Sequence, residues 1–211
     1  MSALAEQYEK DFDYQPTENP KWFELACIIR YLYLFEYMEA NALKEVVQCD
    51  TDVMVFQDLE ADGKWIRNHD YTLSTDVGGS ANCRSSYLTF DVVSSLKQFM
   101  LDRHGKESND MDLWNDFRRT HPYFKCGEMN QIRDGSIYDR SMGWDDTSPF
   151  ESDPSSVNGP SQPIKKVYWI KGIPHFKAIG SGQMVRAKTL HCWGNARAKM
   201  SEFLEISKSS L

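Results

Sequence analysis

The chain has 211 residues, 41% hydrophobic and 13% aromatic, enough to bury a core and too apolar for a disordered tail. Its 31 Asp and Glu against 24 Lys and Arg give a net charge of -7, which argues against nonspecific binding to nucleic acid or an anionic membrane surface. Cys27, Cys49, Cys83, Cys126 and Cys192 are odd in number, scattered and mostly within apolar runs, so they read as reduced buried thiols in preference to a disulfide framework, and no CxxC pair suggests zinc.

Residues 1–19 are polar, punctuated by Phe12 and Tyr14 as surface anchors, and read as a lead-in to a single domain over 20–211. Asn19-Pro20 is a good cap and first-turn pair. Glu24 to Ala40 carries Leu25, Ile28, Ile29, Leu32, Phe35 and Met38 at helical spacing, which predicts a helix. After a turn near Asn41, the apolar run Val46-Val47-Gln48-Cys49 predicts a buried strand that stops at Asp50-Thr51-Asp52. Helix, strand and then acidic residues make half of a βαβ unit, so the fold class expected is α/β.

Two carboxylates one residue apart at the carboxyl end of a buried strand project into the crevice where open α/β sheets bind ligands. They repel each other unless a cation sits between them, and hard oxygens suit Mg²⁺ or Mn²⁺ bound together with substrate phosphates. Asp-x-Asp also occurs in turns, where the carboxylates bond their own backbone. The strand and helix before the triplet favour a metal-diphosphate site.

Downstream, Gln57 to Asp70 is charged, with a turn signal at Asp62-Gly63, and Tyr71-Thr72-Leu73-Ser74 predicts a short strand. Gly78-Gly79-Ser80 is a spot where backbone can approach a ligand closely. Thr89 is a plausible N-cap for a helix from Phe90 to about His104, stopped by Gly105. Asn109 or Asp110 caps another helix running to Arg119. Asp145 to Pro163 is rich in Asp, Ser, Pro and Gly and reads as a long exposed loop or lid. Lys166 to Ile170 predicts a strand, Gly172 to Pro174 a turn, and Met184 to Leu190 a further strand ending at His191. No internal repeat is present.

His191 opens the loop His191-Cys192-Trp193-Gly194-Asn195-Ala196-Arg197. A neutral imidazole can complete a coordination sphere begun by Asp50 and Asp52, Gly194 lets backbone approach phosphate oxygens, and Arg197 neutralises them. An isolated histidine before a turn is more often a core residue; two sites of matching chemistry change the odds.

VVQCDTDVMVF resembles the DxD region of nucleotide-sugar glycosyltransferases of the GT-A fold, and HCWGNAR is similar to the late HFxGxxKPW loop of glycogenin-type members. The span from about Phe23 to Met200 also resembles a group of little-characterised glycosyltransferases through FELACIIRYLYLFEYME, GEMNQIRDGS and LHCWG. The resemblance implies a GT-A-like mixed, mostly parallel sheet flanked by helices. It also implies a Mn²⁺ or Mg²⁺ ion held by Asp50, Asp52 and His191 on the diphosphate of a sugar donor. Asp50 would also touch the ribose, and Gly194 with Arg197 would hold the phosphates. Three departures are visible: Cys192-Trp193 replaces an aromatic-small pair, Arg197 stands for lysine, and no Pro-Trp follows. Gly78 to Ser86 would lie beside the donor sugar, with Asp110 and Asp112 corresponding loosely to acidic residues near it and Gly127 to Asn130 to an inner loop. An inverting transfer would need Asp110 or Glu128 to take the acceptor proton, whereas the glycogenin-like loop hints at retention. Asp110 as a helix cap and Glu128 as a solvated charge are the plainer alternatives. Transferases of this fold usually begin with a strand, helix and strand that bind the base, and only residues 1–19 precede the first predicted helix, so the implied domain is N-terminally truncated.

Two rival readings use the same residues. In a haloacid-dehalogenase-type phosphohydrolase Asp50 would be the nucleophile and Asp52 the acid/base partner. Met54, however, stands where that family usually has Thr or Val, and Asp145-Asp146 does not close an apolar strand. A noncatalytic glycan-binding protein would instead use Trp144, Tyr168, Trp169 or Trp193 as stacking faces. The acceptor, a glycan, protein or lipid hydroxyl, is not legible. No apolar stretch reaches the roughly 20 residues that cross a bilayer, so the chain reads as soluble, compatible with a Golgi lumen or cytoplasm.

Overall fold

The structure, a computed structural model, describes residues 3–14, 17, 19–58, 63–75, 79–103, 108–143, 148–156 and 163–209. Gly78, the expected helix end at His104-Gly105, Trp144 and much of the loop expected at 145–163 lie outside the described residues. In chain order the helices are α1 Ala3–Asp11, α2 Lys21–Ala40, α3 Gly63–Ile66, α4 Phe90–Arg103, α5 Asp110–Thr120 and α6 Met200–Lys208. The strands are β1 Glu45–Cys49, β2 Val53–Val55, β3 Tyr71–Thr75, β4 Ala81–Asn82, β5 Ser85–Thr89 and β6 Cys126–Glu128. They continue with β7 Ser136–Tyr138, β8 Ser152–Asp153, β9 Ile164–Lys165, β10 Tyr168–Ile170, β11 Ile173–Lys177 and β12 Met184–His191. The chain is therefore a mixed α/β protein, and it divides into two compact units, Met1–Gln48 with Lys64–Glu128, and Cys49–Gly63 with Met129–Leu211.

In the first unit the sheet order is β1-β5-β3-β4, with β6 beside β3. The stripe expected on α2 is its buried face: Leu25, Ile28, Leu32, Phe35 and Met38 join Tyr31 in one core with Val92, Val93, Leu96 and Met100 of α4. From α5, Trp114 meets Tyr31 edge-on at 5.5 Å and stacks on Tyr71 at 5.6 Å, an arrangement that favours aromatic rings beyond area burial alone. The segment expected as a lead-in is in part α1, whose Ala5 and Tyr8 enter that core together with Phe12. The apolar residues of α1, set among charges, were too few to announce a helix.

The second unit contains a sheet of order β10-β11-β12-β2 with β7 beside β12, and a small ribbon of β8 and β9. Lys171 and Gly172, both at positive φ (51° and 72°), make a two-residue turn whose twist matches the flanking strands, so β10 and β11 form a hairpin. β12 alternates half-buried Met184 and Arg186 with buried Val185 and Ala187, then runs fully buried from Lys188 to His191. Phe150 packs with Phe176 of β11 and Leu190 of β12 in the core of this unit, and Trp169 meets both Phe56 and Phe203 with ring centroids 5.7 Å apart.

Two expectations are corrected here. The mostly parallel sheet is not what forms: β7 on β12 and β6 on β3 are parallel, while β10–β11, β11–β12, β12–β2, β3–β4, β3–β5 and β8–β9 are antiparallel. The tight turn at Lys171–Gly172 forces the antiparallel sense of β10 and β11 that a helical crossover would avoid. The 145–163 segment is not wholly a loop either, since Ser152 and Asp153 pair with Lys165 and Ile164.

Candidate metal centre

The ladder between β2 and β12 sets Val53 opposite His191, so the residue before one strand meets the last residue of the other. Asp50 to Val53 is a turn closed by the Val53 N–H donating to the Asp50 carbonyl at 3.0 Å, and the Cys192 N–H donates to the Asp52 carbonyl at 2.8 Å. With both backbones seated, the side chains of Asp50, Asp52 and His191 converge, their ligand atoms all within 4.8 Å of one another. That spacing is slightly wider than the roughly 3–4 Å between donors on one octahedral ion with metal–oxygen distances near 2.1 Å.

The imidazole is oriented from behind. His191 Nδ1 lies 2.6 Å from the Arg140 carbonyl oxygen, and a carbonyl only accepts, so Nδ1 carries a proton. Nε2 then faces Asp52 Oδ1 at 3.3 Å. Both groups are buried, with His191 at 1% and Asp52 at 7% exposure. On the other side Arg197 donates to Asp52 Oδ2 through Nη2 at 2.7 Å and Nε at 3.1 Å. Burial pushes the Asp52 carboxyl up, but the Arg197 hydrogen bonds and the nearby charges of His191 and Arg197 outweigh it and hold the group below its ordinary value. Burial, then the charges of Asp139 and Asp52, push the Cys192 thiol up to about 12.

Gly194 opens the 3₁₀ turn Gly194–Lys199 that presents Arg197. Its φ of +62° is a region L side chains seldom adopt, although a Cβ there would meet nothing within 4 Å. The glycine is needed for the turn and not for space. Arg197, expected at phosphates, is found on Asp52, because a buried carboxylate beside a cation is paired before anything else.

The donor set, two carboxylate oxygens and one imidazole nitrogen with no thiolate, could hold a divalent metal ion. Asp110 and Glu128 belong to the first unit. Asp110 sits in the first turn of α5, where it pairs with Arg30 at 2.6 Å, and the neighbouring Asn109 side chain caps the helix through the Asp112 N–H. Glu128 ends β6 and accepts a hydrogen bond from the Thr75 hydroxyl. Both carboxylates are thus engaged by local structure, and neither needs a catalytic role to explain its place.

Missed by sequence reasoning were Asp139 and Lys165, a buried pair at 2.6 Å that reaches the His191 backbone. Their only sequence signal is a Lys between Ile164 and Lys166 at the start of an apolar run, and an Asp after Ile137-Tyr138. Comparison finds no protein-family model that matches the chain, and no match among curated proteins or solved structures.

Proposed function

We propose that Asp50, Asp52 and His191 hold one Mn²⁺ or Mg²⁺ ion that receives the diphosphate of a nucleotide-sugar, and that the chain is a metal-dependent glycosyltransferase of GT-A type. The convergence of these three side chains at the meeting of β2 and β12 is the observation that carries the reading. The donor set supports a divalent cation, and the sequence resemblance supports the sugar-transfer class. A bound cation of this kind offsets charge growing on a departing diphosphate. The chain's own residues do the rest: Asp50 and Asp52 supply hard oxygens, and His191 presents Nε2 from a ring fixed through Nδ1. Arg197, whose side chain is 61% exposed even while it holds Asp52, would be placed to hold a phosphate oxygen if a cation were bound at the two carboxylates.

Titration of the chain with Mn²⁺, in the presence and absence of a nucleoside diphosphate, tests this reading. Binding that tightens when the diphosphate is present is the expected result. Identical isotherms in the two conditions contradict it, and binding of a glycan without any metal would point to the noncatalytic reading in its place.

A further inference from the structure

The buried pair Asp139–Lys165 lies behind the centre, in the same compact unit, and the proposed chemistry does not use it directly. The side chain of Asp139 is fully buried, and its two oxygens are divided: Oδ1 accepts from Lys165 Nζ at 2.6 Å and Oδ2 accepts from the His191 backbone N–H at 3.2 Å. Lys165 Nζ also donates to the Ser141 carbonyl at 2.5 Å. The ammonium therefore grips the chain on both flanks of Arg140, the residue whose carbonyl receives the His191 Nδ1 proton.

The remaining contacts close the clamp. The Asp139 N–H donates to Thr189 Oγ1 at 3.0 Å, the Met142 N–H to the His191 carbonyl at 2.8 Å, and the Lys165 N–H to the Met142 carbonyl at 2.8 Å. Phe150 and Phe176 present ring faces to the Lys165 ammonium, with centroids at 5.7 and 5.2 Å, so the charge is stabilised where water is scarce. A buried ion pair is costly to maintain by comparison with apolar packing of the same volume, and its use is better sought in specifying one arrangement. Here the specified arrangement is a carbonyl aimed at an imidazole.

We propose that Asp139 and Lys165 are positioning residues that hold the Arg140 carbonyl against His191 and so fix the neutral imidazole as the Nδ1–H tautomer, with Nε2 turned toward Asp50 and Asp52. The consequence for cation affinity rests on the function proposed above; the tautomer claim does not. Partners of this kind tune metal affinity by roughly 10- to 100-fold in other sites.

The test is ¹⁵N NMR of the His191 ring in the metal-free full chain, at a pH where the ring's own ¹⁵N shifts show a single bound proton. It compares the unmodified protein, Lys165→Met and the double variant Asp139→Asn/Lys165→Met, with Lys165→Arg as the conservative control. Lys165→Met alone leaves a carboxylate buried without its partner and is prone to misfold. The double variant removes both charges at near-constant shape and keeps the test decisive. In the double variant, signal characteristic of the Nε2–H tautomer is expected to appear, and Lys165→Arg is expected to restore the Nδ1–H form. A ring that stays wholly Nδ1–H in the double variant overturns the proposal. Mn²⁺ titration of the same samples is expected to show affinity weakened about 10- to 100-fold in the double variant. Absence of Mn²⁺ binding by the unmodified protein would overturn the function reading and leave the tautomer result to decide this inference alone.

Discussion

Asp52 is held between a buried site that disfavours its charge and the Arg197 guanidinium that favours it. Because its carboxyl titrates below the ordinary value, its contribution to stability is complete above the unfolded value near 3.9 and is lost as the pH falls through the lower folded value. Asp52→Asn should therefore cost about 1–2 kcal/mol at neutral pH, less than a fully buried pair because Arg197 is largely exposed. The gap to the unmodified protein should close as the pH drops below about 4. Urea unfolding across the pH range measures this, and parallel stability curves would contradict it. At Gly194 the argument is conformational: Gly194→Ala meets no atom but must hold φ at +62°, so a loss of about 1–2 kcal/mol, read as a lower Tm, is expected. An unchanged Tm would mean the turn relaxes at no cost.

Among the elements, those with a complete signal were legible. The α2 stripe, the Asn109 cap of α5 and the run that became β12 were all readable because pattern and flanking residues agreed. The cap carries its own prediction: the Asn109 side chain accepts from the Asp112 N–H at 2.9 Å, and Asn109→Ala should lower stability by about 1 kcal/mol in chemical denaturation, with no loss leaving the helix start to other contacts. β5 was not legible, because Ser85 and Ser86 are buried there and a strand that buries hydroxyls lacks the apolar alternation by which strands are recognised. α6 escaped for a different reason, offering one buried side chain, Phe203, over nine residues. Strand direction was misjudged because a helix followed by a strand suggests a crossover, whereas the hairpin signal at Gly172, read only as a turn, set the antiparallel sense of the second sheet.

For the whole chain, the candidate site was legible in residue types and not in geometry. Asp50, Asp52 and His191 each stand at a strand terminus, a position visible in sequence, and the β2–β12 register turns that shared placement into proximity. The Arg140 carbonyl could not have been found in this way, since backbone oxygens leave no mark in a sequence. Arg197 was legible as a cation but not as the partner of Asp52, because net charge of -7 says nothing about which carboxylate a given guanidinium reaches. Among the described residues, no helix is long and apolar enough to cross a membrane. The claim from which the functional account descends is that the acidic pair and the late imidazole share one ion. Isothermal titration of Mn²⁺ into the unmodified chain, Asp52→Ala and His191→Ala, each checked for retained fold by circular dichroism, tests it most directly. The account predicts measurable binding by the unmodified chain and affinity at least about tenfold weaker in each variant; equal affinity in all three would contradict it.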